Sequence, residues 1–270
     1  MVKLKYVIFP LLILLILITI SCQIQTTNTK KSIVVTYSVL GSIVKELVGD
    51  ETDVTVSIPN GLDPHEWEPS AKDIETINKA DMIIENGLGL ENGMEKTLQI
   101  ARNKGTVFFT ATDHITIRHV GLGEGIPSGD PDQALGAPDP HFWLDPVSMK
   151  DVVVALTSTL MNNLNIDASA QAKVIEARLD NLNNAIKNVV SEIPMENRKL
   201  VTGHESMGYF AQRYGFQLTG VIMPSLSTQA AVSVADLAGI SIIANGTKRR
   251  NHITTLLLSG FNFRYLCGHI

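Results

Sequence analysis

Three histidines stand in positions suited to hold a metal ion. His65, His141 and His204 each end an apolar run and are bracketed by turn formers or small residues. Imidazole is the commonest protein ligand for zinc and related metals, because its ring nitrogen is largely neutral near physiological pH. The three positions are far apart in the sequence, so only folding can bring them together. We predict that the three rings meet at one metal ion.

Two of these histidines share the motif Asp-Pro-His. In Asp63-Pro64-His65 and Asp139-Pro140-His141 the imidazole follows a residue of fixed φ, which limits the entropy lost when the ligand is ordered. Carboxylates close by are expected to orient the ring nitrogen that does not touch the metal. Four further histidines are not predicted to belong to this three-histidine site: His114, His119, His252 and His269.

Short β-branched runs alternate with helix-like stretches in the first half of the chain. The predicted strands are residues 33–37, 54–58, 82–84 and 107–110, and the predicted helices are residues 41–48, 70–80 and 93–103. Ser70 and Asp73 have the spacing of a helix capping box. This alternation predicts an α/β fold with a mostly parallel sheet covered on both faces. Ligands bind such sheets at the carboxyl ends of the strands, where His65 and residues 139–145 are expected.

The second half begins with two long helices. Residues 147–164 and 168–190 are predicted to be helical, the latter with an apolar stripe that includes Val174 and Val189, and Pro194 ends this region. A second β unit follows, with strands at 200–202 and 218–223 and a helix at 209–214. Residues 121–140 are rich in Gly, Pro and Asp and are predicted to be a loop that acts as a lid, or holds a weak metal-collecting site with Asp130, Asp132, His114 and His119.

The amino terminus reads as an export signal. Lys3 and Lys5 precede an apolar run over residues 7–20, and Ser21 then leads into Cys22. Residues 19–22 resemble the lipobox of bacterial lipoproteins, although Thr19 stands where leucine is usual, which implies that Cys22 is lipidated. The alternative is an uncleaved membrane anchor, yet the fourteen apolar residues are fewer than the roughly 20 that span a bilayer. Either reading places the protein outside the cytoplasm, attached to the membrane.

Charge and cysteine content limit which partners and which disulfide bonds the protein can have. The formal net charge of −5 gives no basic surface for nucleic acid, so we predict no nucleic-acid partner. If Cys22 serves as the anchor, only Cys267 remains and no internal disulfide can form. Stability must then come from packing and from bound ligand.

Three segments, centred on the three histidines, together resemble the zinc and manganese substrate-binding lipoproteins of bacterial ABC metal importers (the cluster A-I metal-binding proteins). They are residues 61–70 (GLDPHEWEPS), 139–146 (DPHFWLDP) and 201–210 (VTGHESMGYF), and the resemblance extends over residues 33–238. It implies two α/β lobes joined by one long rigid helix, with the metal between them. The implied layout is a signal at 1–22, a linker at 23–32, an N-terminal lobe at 33–167, the connecting helix at 168–193 and a partial C-terminal lobe at 194–270.

The resemblance also implies the ligands and the metal. Family members take three ligands from the positions of His65, His141 and His204, and histidine at the third position is similar to zinc-preferring members, whereas glutamate suits manganese. Imidazole favours zinc and carboxylate favours manganese, so zinc is expected and manganese is the alternative. The family's fourth ligand, a carboxylate late in the second lobe, has no matching position before Ile270, which suggests a C-terminally truncated chain.

The expected function is capture of a divalent transition metal and its delivery to an ABC transporter permease by a monomeric protein, with no catalysis. One alternative is a surface adhesin or interaction lipoprotein, since adhesion needs only an exposed face. Another is a truncated product without function. A zinc hydrolase with Glu66 or Glu205 as general base is disfavoured, because the sequence has no His-Glu-x-x-His helix and no nucleophile elbow.

Overall fold

The computed structural model describes residues 30–121, 135–202 and 206–221, which form an α/β fold. Four parallel strands make one sheet in the order β2-β1-β3-β4. They are β1 (Lys31–Val35), β2 (Thr52–Val56), β3 (Met82–Glu85) and β4 (Val107–Thr110). The predicted parallel sheet is confirmed, and β1 and β2 begin two residues earlier than expected because their first residues extend the β1–β2 pairing.

Three helices alternate with these strands. They are α1 (Ser38–Val48), α2 (Ala71–Lys79) and α3 (Glu95–Asn103), the last preceded by a 3-10 turn at Asn92–Met94. The predicted capping box is present at α2, where the Ser70 hydroxyl accepts from the Asp73 amide and the Asp73 carboxylate accepts from the Ser70 amide. These bonds satisfy amides that a helix start otherwise leaves without partners.

The two central strands of the sheet are buried on both faces. All four residues of β3 are buried, as are Ile33, Val34 and Val35 of β1, so neither face of the two central strands meets water. Burying one such aliphatic side chain contributes about 1.5–3 kcal/mol. The core therefore holds the central strands firmly, and the loops at their carboxyl ends project from a rigid base.

Two long helices follow, α4 (Pro146–Leu164) and α5 (Ser169–Ser191), and they pack against each other. Asp145 caps α4 by accepting from the Val147 amide, and Asn165 ends it in the left-handed conformation. The helix predicted over residues 168–190 is present as α5, which is 23 residues long, and its role as a connection between two lobes remains a prediction.

The predicted apolar stripe of α5 is only partly correct. Val174 and Val189 are 51% and 65% exposed, whereas their neighbours Ile175 and Val190 are buried. Adjacent helix positions differ by about 100° around the axis, so a one-residue choice decides which side chain faces the core. Arg178 on the same helix forms a two-pronged ion pair with Glu46 of α1, at 2.6 and 2.9 Å.

A second, two-stranded parallel sheet contains β5 (Lys199–Thr202) and β6 (Gln217–Val221), connected through α6 (Gly208–Tyr214). This confirms the predicted second β unit. Gly215, at a φ of 72°, ends α6 in a conformation that glycine adopts without strain. The tail after Asp236, which motivated the expectation of truncation, lies outside the described residues, and the proposed lobe boundaries remain predictions.

Within the described ranges, no helix has the length and hydropathy needed to cross a bilayer. The apolar run at 7–20 and the lipobox-like Cys22 lie outside those ranges, so the anchor remains a prediction.

Candidate metal centre

His65 and His141 lie side by side at the carboxyl edge of the four-stranded sheet. His65 is in the loop between β2 and α2, and His141 immediately precedes a 3-10 turn at Phe142–Leu144 and then α4. Their Nε2 atoms are 3.2 Å apart, although 76 residues separate them in the chain. The fold thus brings together the two Asp-Pro-His motifs, as predicted.

The separation of the two nitrogens fits a shared cation. Two imidazole nitrogens, each about 2.0–2.1 Å from one tetrahedral zinc ion, lie about 3.3 Å from each other. The observed 3.2 Å is close to this value. The same gap also suits an N–H···N hydrogen bond, in which a proton takes the place of the cation, so protons and metal compete for the pair.

The aspartate of each motif shapes the backbone around its histidine. Asp63 Oδ1 accepts from the amide of His65, and Asp139 Oδ1 accepts from the amide of His141, both at 2.9 Å. These are Asx turns, in which a short carboxylate closes a loop that proline has already restricted. The same type of turn therefore shapes the backbone at both His65 and His141.

Asp139 also orients the ring of His141. Its Oδ1 lies 2.9 Å from Nδ1 of His141, and its Oδ2 accepts from Nη1 of Arg118 at 2.9 Å. Because a carboxylate accepts the proton at Nδ1, the lone pair remains at Nε2, the atom that faces His65. The expected contact between a nearby carboxylate and one ring nitrogen is therefore present at His141, and metal binding at Nε2 remains a prediction.

The charge of Asp139 is maintained by its neighbours. All three residues of the Arg118–Asp139–His141 chain are buried. Burial alone would raise the pKa of Asp139, but the hydrogen bonds from His141 and the positive charge of Arg118 outweigh it, and the pKa lies below its ordinary value. The carboxylate is thus ionised while it accepts the hydrogen bond from Nδ1 of His141.

A buried polar cluster at the ends of β1 and β3 supports the His141 segment. Asn86 donates from Nδ2 to the carbonyl of Pro140 at 3.0 Å. The backbone amide of Asn86 donates to Glu91 Oε1 at 2.6 Å, and this oxygen also accepts from the Thr36 hydroxyl at 2.7 Å. Burial raises the pKa of Glu91 to about 7, since the hydrogen bonds from Thr36 and Asn86 offset only part of the desolvation.

The His65 loop rests on the 3-10 turn before α3. The Trp67 amide donates to the carbonyl of Asp63 at 3.1 Å, which closes the loop around His65. A Cβ at Gly93 would overlap the Trp67 carbonyl oxygen, so only glycine permits this approach.

The third predicted ligand, His204, and the candidate base Glu205 lie outside the described residues. Within the described residues, no group of three or more His, Cys, Asp or Glu side chains could hold a metal ion. The two described histidines thus provide part of the predicted ligand set, and the place of His204 in it remains a prediction.

The loop before the second ligand is described only at its ends. His119 pairs with Pro138 in an antiparallel bridge, and Val120 exchanges backbone hydrogen bonds with Gly136 and Ala137. His114 is exposed and stacks on Phe109 with the ring centroids 4.6 Å apart. Asp130 and Asp132 of the suggested collecting site lie outside the described residues, and both the lid and that site remain predictions.

Four residues of this site are not predicted from the sequence: Arg118, Asn86, Glu91 and Tyr209. Arg118 and Tyr209 reach Asp139 from 21 and 70 residues away, and no local pattern marks them. The only sequence signal was indirect, since a buried carboxylate next to a ligand histidine needs a cationic or hydrogen-bonding partner.

Comparison with known proteins points to metal-importer components. The chain is 28% identical over 226 residues to "Manganese-binding lipoprotein MntA" of Halalkalibacterium halodurans, covering 80% of this chain and 71% of that protein. It is 29% identical over 199 residues to "Manganese ABC transporter substrate-binding lipoprotein PsaA" of Streptococcus pneumoniae, covering 70% and 61%. It is also 28% identical to "Iron ABC transporter substrate-binding lipoprotein MtsA" of Streptococcus pyogenes, covering 74% and 66%.

The fold is that of a solved relative. The "periplasmic zinc binding protein TroA from Treponema pallidum" superposes with a TM-score of 0.67 at 24% identity, covering 81% of this chain and 76% of that one. At this identity the likeness establishes the architecture alone.

The profile of one family, described as "ZnuA: Zinc-uptake complex component A periplasmic", matches residues 33–252. This match covers most of the chain and includes the positions of all three predicted ligands. Proteins of this kind are substrate-binding components of ABC transporters and not enzymes, which confirms the prediction of no catalysis. The chain therefore belongs to the family of the periplasmic zinc-uptake component ZnuA.

Proposed function

We propose that this protein captures a divalent transition metal outside the cytoplasm and delivers it to an ABC permease, with zinc as the preferred cargo and manganese as the alternative. The observation that carries the proposal is the pair of Nε2 atoms of His65 and His141, 3.2 Å apart. The lone pair at His141 Nε2 is available because Asp139 engages the opposite nitrogen.

The preference for zinc rests on ligand chemistry. Neutral imidazole is a borderline ligand that binds zinc well, whereas manganese favours carboxylate and water oxygens. Two described imidazoles and the predicted third, His204, would make a nitrogen-rich site. The relatives are named for manganese and iron as well as zinc, so the metal needs a direct measurement.

Binding is tested by isothermal titration of the metal-stripped protein with zinc at neutral pH. We expect His65→Ala and His141→Ala each to lose more affinity than the roughly 10–100-fold that follows loss of an outer partner. His204→Ala tests the third ligand in the same way. His114→Ala is the matched control and should leave the zinc affinity of the His65–His141 site unchanged, because His114 stacks on Phe109 and is not one of its predicted ligands.

Two results would contradict this assignment. One is the absence of zinc and manganese binding by the wild-type protein. The other is equal affinity in the wild type, His65→Ala and His141→Ala. Titrating zinc and manganese in competition, with bound metal measured by elemental analysis, decides between the two cargoes.

We further propose that a lipid on Cys22 tethers the protein to the outer face of the membrane, where it works as a monomer. The lipobox-like residues 19–22 and the description of the relatives as lipoproteins support this location. Cys22→Ala should shift the protein from the membrane fraction to the soluble fraction and abolish labelling by a fatty-acid analogue. Unchanged fractionation and labelling would rule out the anchor.

A further inference from the structure

Helix α6 is bonded to both ends of the segment that carries His141. We call this segment, residues 139–145, the ligand strap. At one end, the Tyr209 hydroxyl donates to the carbonyl of Asp139 at 3.1 Å. At the other end, Arg213 donates from Nε and Nη2 to the two carboxylate oxygens of Asp145, at 2.9 and 2.6 Å. The helix that connects the two strands of the second sheet thus holds the segment that carries His141, which lies at the edge of the first sheet.

Tyr209 joins two chain segments through one oxygen atom. Its hydroxyl accepts from the backbone amide of Arg118 at 3.0 Å while it donates to Asp139. Burial raises the pKa of Tyr209 to about 12, so the hydroxyl keeps the proton that it donates. Both bonds end on residues of the Arg118–Asp139 pair that orients His141.

Arg213 holds the far end of the strap in a fixed geometry. Asp145 is 1% exposed, and its carboxylate also caps α4 and accepts from Ser148 at 2.8 Å. A two-pronged guanidinium–carboxylate contact fixes direction as well as distance. Movement of α6 would therefore disturb the start of α4 together with the strap.

Gly208 lets α6 approach this closely. A Cβ at this position would overlap Nη1 of Arg118 and Oδ2 of Asp139. The first turn of α6 thus lies against the ion pair behind His141. The predicted third ligand, His204, comes four residues before the helix begins.

We propose that Tyr209 and Arg213 are positioning residues for the metal, which fix the ligand strap from α6 so that metal affinity depends on how α6 is docked. This inference rests on the proposed function, since it concerns the same cargo. Neither residue is assigned a contact with the ion. Their effect reaches it through the backbone carbonyl of Asp139 and the carboxylate of Asp145.

The test compares two tyrosines of the same helix. Tyr209→Phe removes the hydroxyl that holds the strap, whereas Tyr214→Phe removes a hydroxyl that bonds Asn183 of α5 at 3.1 Å. Because Tyr209→Phe loses both hydrogen bonds of this hydroxyl, we expect zinc to bind the variant roughly 3- to 10-fold more weakly than wild type. The zinc affinity of Tyr214→Phe should be within about 2-fold of the wild-type value, because the Tyr214 hydroxyl bonds α5 and not the ligand strap.

Two further measurements separate positioning from general destabilisation. A purely structural role would lower Tm in both variants and leave Kd unchanged. Hydrogen exchange followed by mass spectrometry should show that zinc slows amide exchange in residues 208–214 of the wild type, and less so in Tyr209→Phe. If Tyr209→Phe does not fold, Arg213→Lys provides the test. This variant keeps the positive charge but loses the two-pronged contact with Asp145, and it should show the same loss of zinc affinity.

The outcomes are distinguishable. Wild-type zinc binding with equal Kd values for Tyr209→Phe and Tyr214→Phe overturns this inference and leaves the proposed function standing. Failure of the wild type to bind zinc or manganese overturns both.

Discussion

Asp139 leaves His141 only one nitrogen with which to bind a cation, because its carboxylate engages Nδ1. An amide at this position is a weaker acceptor and no longer balances the charge of buried Arg118. We expect Asp139→Asn to weaken zinc binding by about 10–100-fold, as is usual when the outer partner of a ligand histidine is lost.

This expectation is checked by titrating zinc into Asp139→Asn and a matched variant, Asp180→Asn. Asp180 pairs with Lys150 on the surface, so its substitution removes the same charge without touching the site. Equal zinc affinity in the two variants would show that Asp139 has no part in preparing His141.

Glu91 gives the protein a pH-dependent stability. Its pKa is raised from 4.5 to about 7 by burial, so the folded protein keeps a proton that the unfolded chain loses as the pH rises through this window. Stability therefore falls as pH increases from 4.5 to 7, and the contribution of this carboxyl amounts to about 3 kcal/mol.

Glu91→Gln cannot ionise and should remove this part of the pH dependence. Urea unfolding of wild type and variant at pH 5 and pH 8 provides the measurement, and titration of other groups cancels in the comparison. The wild type should lose more stability than Glu91→Gln between the two pH values. The same loss in both would mean that Glu91 is not the responsible carboxyl.

At the residue level, the sequence predicted contacts that are made locally. The Asp-Pro-His motifs and the carboxylate beside His141 could be anticipated because their partners are two residues apart. Arg118 and Tyr209 could not, since they reach Asp139 only after the sheets have formed. Long-range partners of a buried charge depend on the tertiary structure and leave no periodic signal.

At the level of elements, the 3-10 turn at Asn92–Met94 and the His65 loop require close contact. We expect Gly93→Ala to push the two segments apart, because a methyl group there would overlap the Trp67 carbonyl. Overpacking of this kind typically costs about 1–3 kcal/mol. The variant should unfold at lower urea concentration and bind zinc more weakly than wild type.

Gly105→Ala is the control for this substitution. Gly105 follows α3, whereas Gly93 precedes it, and a Cβ at Gly105 would meet no atom within 4 Å, although its φ of 85° makes alanine strained. It should therefore lose stability without losing zinc affinity. Equal zinc affinity in Gly93→Ala and wild type would show that the contact does not position His65.

The elements themselves were largely predictable. Alternating β-branched runs and the Ser70 capping box located the strands and α2, since these signals are local. The buried face of α5 was not predictable in the same way. Apolar residues occupy adjacent positions at 174–175 and 189–190, and in each pair it is the second, Ile175 or Val190, that is buried. Packing against α4 and α1 decides between adjacent apolar positions, and the sequence of α5 alone does not contain that information.

At the scale of the whole molecule, metal binding should stabilise the fold. A ligand that binds only the folded state at 100 times its Kd adds about 2.7 kcal/mol, which corresponds to a rise in Tm of about 5–10 °C for a chain of this size. Thermal unfolding of the metal-stripped protein with and without zinc gives the measurement. His65→Ala should show little of this shift, and a zinc-insensitive wild-type Tm would contradict the expectation.

The overall architecture followed from the sequence because strand and helix alternate, and because short connections make parallel strands place their loops at one edge. The convergence of His65 with His141 is a consequence of that rule. The contacts of α6 with the ligand strap were not foreseeable, since they join elements of two different sheets.

Both described imidazoles are carried by loops of the same four-stranded sheet, and Asn86 at the end of β3 holds one of these loops by the Pro140 carbonyl. Because α6 holds the same segment through Tyr209 and Arg213, displacing α6 would loosen the His141 side of the pair and leave the His65 side in place. Under the proposed function, unloading would then also need a competitor for the nitrogens, either a proton or a donor atom of the receiving permease. Handover at this pair would be a ligand exchange, so its rate should depend on acidity and on the acceptor.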